Sequence, residues 1–171
     1  NGVAVGAGAV IAAACDLRIF AESAKIGFIF PKVGLSGADM GASFLLPRIV
    51  GRGRAAELLF FGKIISATEA HAAGLVNKLV GEGEALSTSM EWARELAAGP
   101  YFAHTMTKQM LENESNMSLA AAIEAEAQAQ AICMAHPDFR TAYDANKKKE
   151  KPVFEGAPSP RESAPRTEPK A

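Results

Sequence analysis

Cysteine occurs twice in this chain of 171 residues, tryptophan once, tyrosine twice and histidine three times. Cys15 and Cys133 are far apart in Ala-rich, apolar stretches, which excludes a disulfide framework. Two buried free thiols in a reducing, cytoplasmic compartment are expected instead. No Cys/His cluster has the spacing of metal ligands, so no metal site is expected. Neither sign of charge dominates: 18 Lys and Arg against 19 Asp and Glu leave −1, which implies no nucleic-acid partner. Long apolar runs are missing too. The longest, Val3 to Cys15, falls short of the ~18 residues that signal a membrane span. With no basic stretch before it and no initiator Met, a signal peptide is not expected. What remains, 49% apolar and 22% charged, is an ordinary soluble globular composition with length for one domain.

The richest local feature is Gly6-Ala-Gly-Ala-Val-Ile-Ala-Ala-Ala-Cys-Asp16. An apolar run, Val3 to Val5, leads into residues with almost no side chain and then into a good helix former. A strand, a Gly turn and a helix start aim backbone N–H groups at one spot, able to hold a phosphate or an oxyanion. Two other uses are open. One is a dinucleotide fingerprint built on Gly6 and Gly8, with Glu22 on the ribose, although Ile11 holds the third glycine position and the helix would be short. The other is a tight turn with no ligand.

The chain then predicts strands at Leu17–Phe20 and Lys25–Phe30, a Gly-rich loop at 34–41, and a helix over Ala42–Val50 split by Pro47. A helix over Arg54–Phe61 ends at Gly62, followed by a strand at Lys63–Ile65. Ser66-Ala-Thr-Glu69 forms a capping box opening a helix that ends at Gly74, before a strand at Val76–Val80. Beyond residue 84 only helices are expected: Leu86–Ala98, Tyr101–Ser115, Ser118–Ala135 with Ser118 as its cap, and Asp138–Lys149. Residues 157–171, Pro-rich and without large apolar side chains, are expected to be disordered.

Several words recur in a fixed order. They are Asn1-Gly-Val-Ala-Val-Gly-Ala-Gly8, Cys15-Asp-Leu-Arg-Ile-Phe-Ala-Glu-Ser-Ala24, Pro31-Lys-Val-Gly-Leu35, Leu46-Pro-Arg-Ile-Val-Gly51, Ala55-Ala-Glu-Leu-Leu59, Gly62, Ala67-Thr-Glu-Ala70 and Gly74-Leu-Val-Asn-Lys-Leu-Val80. Pro152-Val-Phe-Glu-Gly156 closes the pattern. With these words the chain resembles the enoyl-CoA hydratase/isomerase (crotonase) family. The resemblance implies an α/β fold. A crotonase-like β-β-α spiral, its second half only, covers residues 1–82, a C-terminal helical oligomerisation region 83–156, and the tail 157–171. It also implies an N-terminal part lacking here, trimers or dimers of trimers, and an acyl-CoA thioester as substrate, with coenzyme A entering only as part of that substrate.

The resemblance further implies roles for individual residues. Two backbone N–H groups hold the thioester oxygen as it becomes an enolate, and the central glycine of that turn corresponds to Ala7, between Gly6 and Gly8. A backbone donor needs no particular side chain. The second donor falls in the part without a counterpart here. The two hydratase glutamates correspond to Val10 and Lys32, neither of which can act as a carboxylate base. Ala38-Asp-Met-Gly-Ala-Ser-Phe-Leu-Leu-Pro47 resembles the loop of dienoyl-CoA isomerases in which an aspartate moves a proton. Flanked by Leu35, Met40 and Phe44, Asp39 is expected to be partly desolvated, as suits a general base; alternatively it caps the helix beginning near Ala42. Lys32 is either a solvated charge or a contact to an anionic substrate group or coenzyme A phosphate. Leu35 lies on the substrate side. The basic cluster Lys147–Lys149 with Lys151 suits a helix C-terminus; the resemblance gives Lys149 a coenzyme A phosphate and Phe154 the apolar wall beside it.

The remaining candidates read as structural. His71 falls on a surface, His136 ends a helix, and no histidine clusters with another. Arg48 anchors an ion pair, and Trp92, Met106, Met110 and Met117 fill a core. Two functions stand: an acyl-CoA-transforming enzyme that stabilises a thioester enolate, or a truncated, non-catalytic homologue that only binds or oligomerises.

Overall fold

The structure, a computed structural model, describes residues 1–156; the expected disordered tail lies outside the described residues. The chain divides into two compact units after Glu91, inside the helix Ala85–Ala97.

In the first unit, β1 (Val3–Val5) runs into α1 (Ala7–Ala14), followed by β2 (Ile19–Ala21) and β3 (Lys25–Gly27). A 3-10 turn spans Phe30–Val33, and α2 (Ala42–Val50), α3 (Arg52–Phe61), β4 (Ile64–Ser66), α4 (Ala67–Ala72) and β5 (Lys78–Val80) complete the unit before α5 (Ala85–Ala97). β3 is central to a three-stranded sheet, parallel to β1 with Val3 opposite Lys25 and antiparallel to β4 with Ile26 opposite Ile65. β2 pairs in parallel with β5 in a second sheet, Phe20 opposite Leu79. β1 and β2, adjacent in sequence, thus fall in different sheets. This removes the dinucleotide alternative: β2 and the following Glu22 do not share a sheet with β1, so α1 makes no crossover within one sheet.

The core explains the Ala-rich composition. Val10, Ile26, Phe28, Leu46, Leu58 and Leu75 are fully buried, each contributing ~1.5–3 kcal/mol by leaving water. Buried Ala9, Ala13, Ala42 and Ala55 share that cluster. α2 is one helix, not two pieces: Pro47 sits inside it, flanked by buried Leu46, and its carbonyl accepts the Gly51 N–H at 3.0 Å. Proline removes one N–H there, a cost the burial of Ala42 and Leu46 outweighs. Gly62 ends α3 in the left-handed conformation, and Ser66 and Glu69 form the reciprocal capping box of α4. β5 is shorter than expected because Leu75 turns back, its N–H bonding the Ala70 carbonyl at 2.9 Å.

Cys15 is exposed rather than buried, and Cys133 is half-buried. α1 stops at Ala14 and Cys15 is its extended C-cap, so the chain leaves the packed face before the thiol is reached.

The second unit contains α6 (Tyr101–Asn113), a 3-10 turn over Glu114–Asn116, α7 (Leu119–Ala135) and α8 (Pro137–Lys148). Ser118 caps α7, accepting the Ala121 N–H, and His136 caps α8 through Nδ1. Among the described residues of this unit Ala129 alone is a buried hydrophobic residue. The expected methionine core is therefore corrected: Trp92, Met106 and Met110 are half-buried and Met117 is exposed. Many of the larger apolar side chains of these helices, among them Leu111, Leu119, Ile123, Ile132 and Met134, are exposed. No helix among the described residues is long and apolar enough to cross a membrane.

Candidate functional site

Gly6 fixes the turn between β1 and α1. Its φ of 55° and ψ of −122° are open to glycine and strained for any other residue. Its N–H donates to the Gly27 carbonyl at 2.9 Å, and its own carbonyl accepts the N–H groups of Ala9 and Val10 at 3.0 and 3.2 Å. The first two helical residues, Ala7 and Gly8, are exposed, and their N–H groups have no helical acceptor. They carry the partial positive charge of a helix start. Val10, 2% exposed, belongs to the core.

The second group follows β3. Pro31 opens the 3-10 turn, and Gly34 ends it with φ 75°. Lys32 is exposed, and its stem lies over Gly62, where a Cβ would come within 3.4 Å of Lys32 Cγ. Gly37 holds the next loop down: a Cβ there would lie 2.6 Å from the Leu59 carbonyl oxygen. Asp39 then accepts the Ala42 N–H on its carbonyl at 2.8 Å, closing a turn whose central residues, Met40 and Gly41, have φ of 49° and 92°.

Both expectations for the Asp39 side chain are corrected in part. Asp39 is exposed, and Leu35, Met40 and Phe44 beside it are themselves 61, 56 and 54% exposed, so they do not close over the carboxylate. Nor does Asp39 cap α2: the N-cap is Gly41, with no side-chain cap bond. Arg48 makes no ion pair among the described residues. Its guanidinium lies 3.6 Å over the Phe44 ring and donates to the Phe44 carbonyl at 2.9 Å.

Ala7 and Gly8 thus follow the C-terminal end of β1, and Lys32, Leu35 and Asp39 follow that of β3. These neighbouring parallel strands are tied by the Gly6–Gly27 bond. Ligands of α/β proteins collect outside the carboxyl ends of such strands. N–H groups of this kind can donate to a negatively charged oxygen, and an exposed carboxylate such as that of Asp39 can accept a proton.

In the second unit, Lys149 is the left-handed C-cap of α8 with φ 58°, exposed in a depression shared with Ala142, Asn146 and Glu150. Phe154 is half-buried in a separate cleft with Phe102, His136 and Phe139. There the His136 ring stacks on Phe102 at 4.5 Å. His71 is exposed. No group of three or more His, Cys, Asp or Glu among the described residues could hold a metal.

One structural residue escaped sequence reasoning. Arg18 donates from Nε to the Leu75 carbonyl at 2.5 Å and from Nη1 to the Cys15 carbonyl, fastening the end of α1 to the turn before β5. Burial pushes its guanidinium down from the ordinary arginine value. Its signal was its place after Cys15-Asp-Leu. Elsewhere, Glu57 is held below the usual carboxylate range, first by the Arg54 hydrogen bond at 2.6 Å and then by Lys63 at 3.1 Å.

The family model described as enoyl-CoA hydratase/isomerase matches residues 1–157. It starts at the first residue, so it does not support the expectation of a second half only. The 1,2-epoxyphenylacetyl-CoA isomerase of Escherichia coli K12 is 36% identical over 91% of this chain and 59% of its own. A 4-chlorobenzoyl coenzyme A dehalogenase of Arthrobacter is 35% identical over 81% of this chain and 50% of its own. A crystal structure of an enoyl-CoA hydratase from Bacillus anthracis matches with a TM-score of 0.86 and 32% identity, over 92% of this chain and 60% of that one. The chain spans at most about three fifths of the length of these relatives. On its sequence and its fold alike, this chain belongs to the enoyl-CoA hydratase/isomerase family.

Proposed function

We propose that the chain forms part of an acyl-CoA site that stabilises a thioester enolate and moves a proton within the acyl group. Isomerisation suits it better than hydration. The observation that carries this is the exposed start of α1, where the N–H groups of Ala7 and Gly8 have no helical acceptor just after the carboxyl end of β1; the Asp39 carboxylate, exposed in the loop that follows β3, is the candidate base. Asp39 takes a proton from the carbon beside the thioester carbonyl. The electron pair moves onto the carbonyl oxygen, where the Ala7 N–H meets it. Returning the proton two carbons further along shifts the double bond and regenerates the carboxylate. A preorganised donor of this kind is worth ~2.7–4 kcal/mol. Hydration calls for two carboxylates to position water, and Val10 and Lys32 supply none.

Within the first unit Lys32 is the candidate contact to a coenzyme A phosphate and Leu35 an apolar contact; within the second, taken by itself, Lys149 is a candidate for such a phosphate and Phe154 an apolar contact in its own cleft. This chemistry calls for no cofactor; coenzyme A enters only as part of the substrate. The exposed apolar side chains on α6, α7 and α8 support a homo-oligomer; its form as a trimer or dimer of trimers, and its place in the cytoplasm, rest on the family resemblance. A monodisperse monomer in light scattering would remove that part. A second reading, a non-catalytic homologue that only binds or oligomerises, is favoured by Val10 and Lys32, which supply no carboxylate at the positions the resemblance gives to acids. The test is incubation with a 3-enoyl-CoA, following the conjugated 2-enoyl thioester by absorbance. Its formation supports the enzyme. No conversion, or efficient hydration of crotonyl-CoA instead, overturns the proposal.

A further inference from the structure

The cleft of the second unit that holds Phe154 has a volume of about 200 Å³. Three phenylalanines line it, Phe102, Phe139 and Phe154, together with His136 and Asp138. They come from α6, from the start of α8 and from the chain that follows α8. The His136 ring lies flat on Phe102, with centroids 4.5 Å apart and planes 4° apart, and meets the Tyr101 ring edge-on at 6.3 Å. Asp138 is the unusual member. Its Oδ2 is closed to solvent and no hydrogen-bond donor reaches it. His136 Nδ1 lies 3.4 Å from that oxygen, but it accepts the Asp138 N–H at 3.3 Å to cap α8. A ring nitrogen that accepts a hydrogen bond holds no proton to give. The carboxylate oxygen therefore faces a lone pair, and its charge is set into an apolar wall.

We propose that this cleft binds a small quaternary ammonium group, with Phe102, Phe139 and Phe154 as its walls and Asp138 as its counter-charge. A charge sealed in such a wall acts on what lies in the cleft more strongly than it would through water. The ring faces add the negative side of their quadrupoles, so both contributions favour a cation. Phenylalanine walls offer no acceptors for the N–H groups of a primary amine, which would lose its bonds to water on entry. A quaternary ammonium has no such bonds to lose. The enolate chemistry makes no use of this site, and its test reads binding rather than turnover.

The whole chain is titrated in a calorimeter with choline, with its neutral isostere 3,3-dimethylbutan-1-ol and with its primary-amine counterpart ethanolamine. Choline binds ~10-fold or more tightly than either, the weight of a desolvated cation over aromatic faces. The variants Asp138→Asn and Phe139→Leu are then titrated. Asp138→Asn keeps the size of the side chain and removes its charge, and Phe139, 47% exposed, can be shortened without opening a core. Each weakens choline ~5-fold or more, and Asp138→Asn leaves binding of the neutral alcohol as it was. Both keep the helical far-UV signal of the wild type; if one does not, the three ligands on the wild type decide alone. No choline binding, equal binding of choline and the alcohol, or a choline affinity that survives either substitution in a folded variant overturns the proposal.

Discussion

Arg18 and Asn77 hold each other through two hydrogen bonds. The Arg18 N–H donates to Asn77 Oδ1 at 2.8 Å, and the Asn77 N–H donates to the Arg18 carbonyl at 2.9 Å. With the guanidinium bonds to Leu75 and Cys15, this clasp joins the entry of β2 to the entry of β5. Asn77→Ala removes the side-chain acceptor and is expected to cost ~1 kcal/mol in urea unfolding. Asn77→Asp keeps an oxygen in that place and should recover most of the loss. Equal stability of the alanine variant and wild type would contradict this.

Asp39→Asn tests the proton-moving group directly. The side chain makes no cap bond to α2, so stability should not change. Isomerisation should fall by ~10²–10⁴, the usual weight of a general base. Wild-type turnover in this variant would leave the site without an identified base.

Gly6→Ala should damage fold and site together. Its conformation, φ 55° and ψ −122°, is strained for alanine by ~1–3 kcal/mol. Relaxation would shift the Ala7 N–H and the bond to Gly27. Lower thermal stability and weakened thioester binding should appear together; an alanine variant with wild-type melting would contradict the assigned backbone.

The capping box of α4 predicts a pH dependence. Glu69 is held below the ordinary carboxylate value, first by the Ser66 backbone N–H at 2.9 Å and then by the Ser66 hydroxyl at 2.8 Å. A lower folded value means the stabilisation is complete above the unfolded value of ~4.3 and is lost as pH falls through the folded value. Glu69→Ala should therefore be less stable than wild type near neutrality, and the gap should close on acidification. A gap that widens in acid would contradict the assignment.

The local signals were legible in the residues: the Ser66–Glu69 box, Gly62 as a left-handed stop, Ser118 as a cap, and the turn at Gly6. Each depends on neighbours within a few positions. What depended on distant packing was not legible. Pro47 suggests a break, yet Ala42 and Leu46 anchor α2 through it. Cys15 stands in an apolar run but falls just past the packed face of α1. Leu35, Met40 and Phe44 surround Asp39 in sequence, but sequence order does not say whether side chains fold over a carboxylate or away from it. The positive φ of Met40 had no sequence signal at all, because methionine is not a residue that marks such turns.

The division of the strands between two sheets also has a kinetic consequence. β1 meets β3 across a short stretch of chain, whereas the Arg18–Asn77 clasp and the adjoining β2–β5 ladder bring together residues 59 positions apart. Closing the longer loop costs more chain entropy before any contact repays it. The two-stranded sheet is therefore expected to zip last on the way to the native state and to open first on the way out. In stopped-flow experiments Asn77→Ala should then hasten unfolding while scarcely slowing refolding, and Ile26→Ala in the three-stranded sheet should slow refolding.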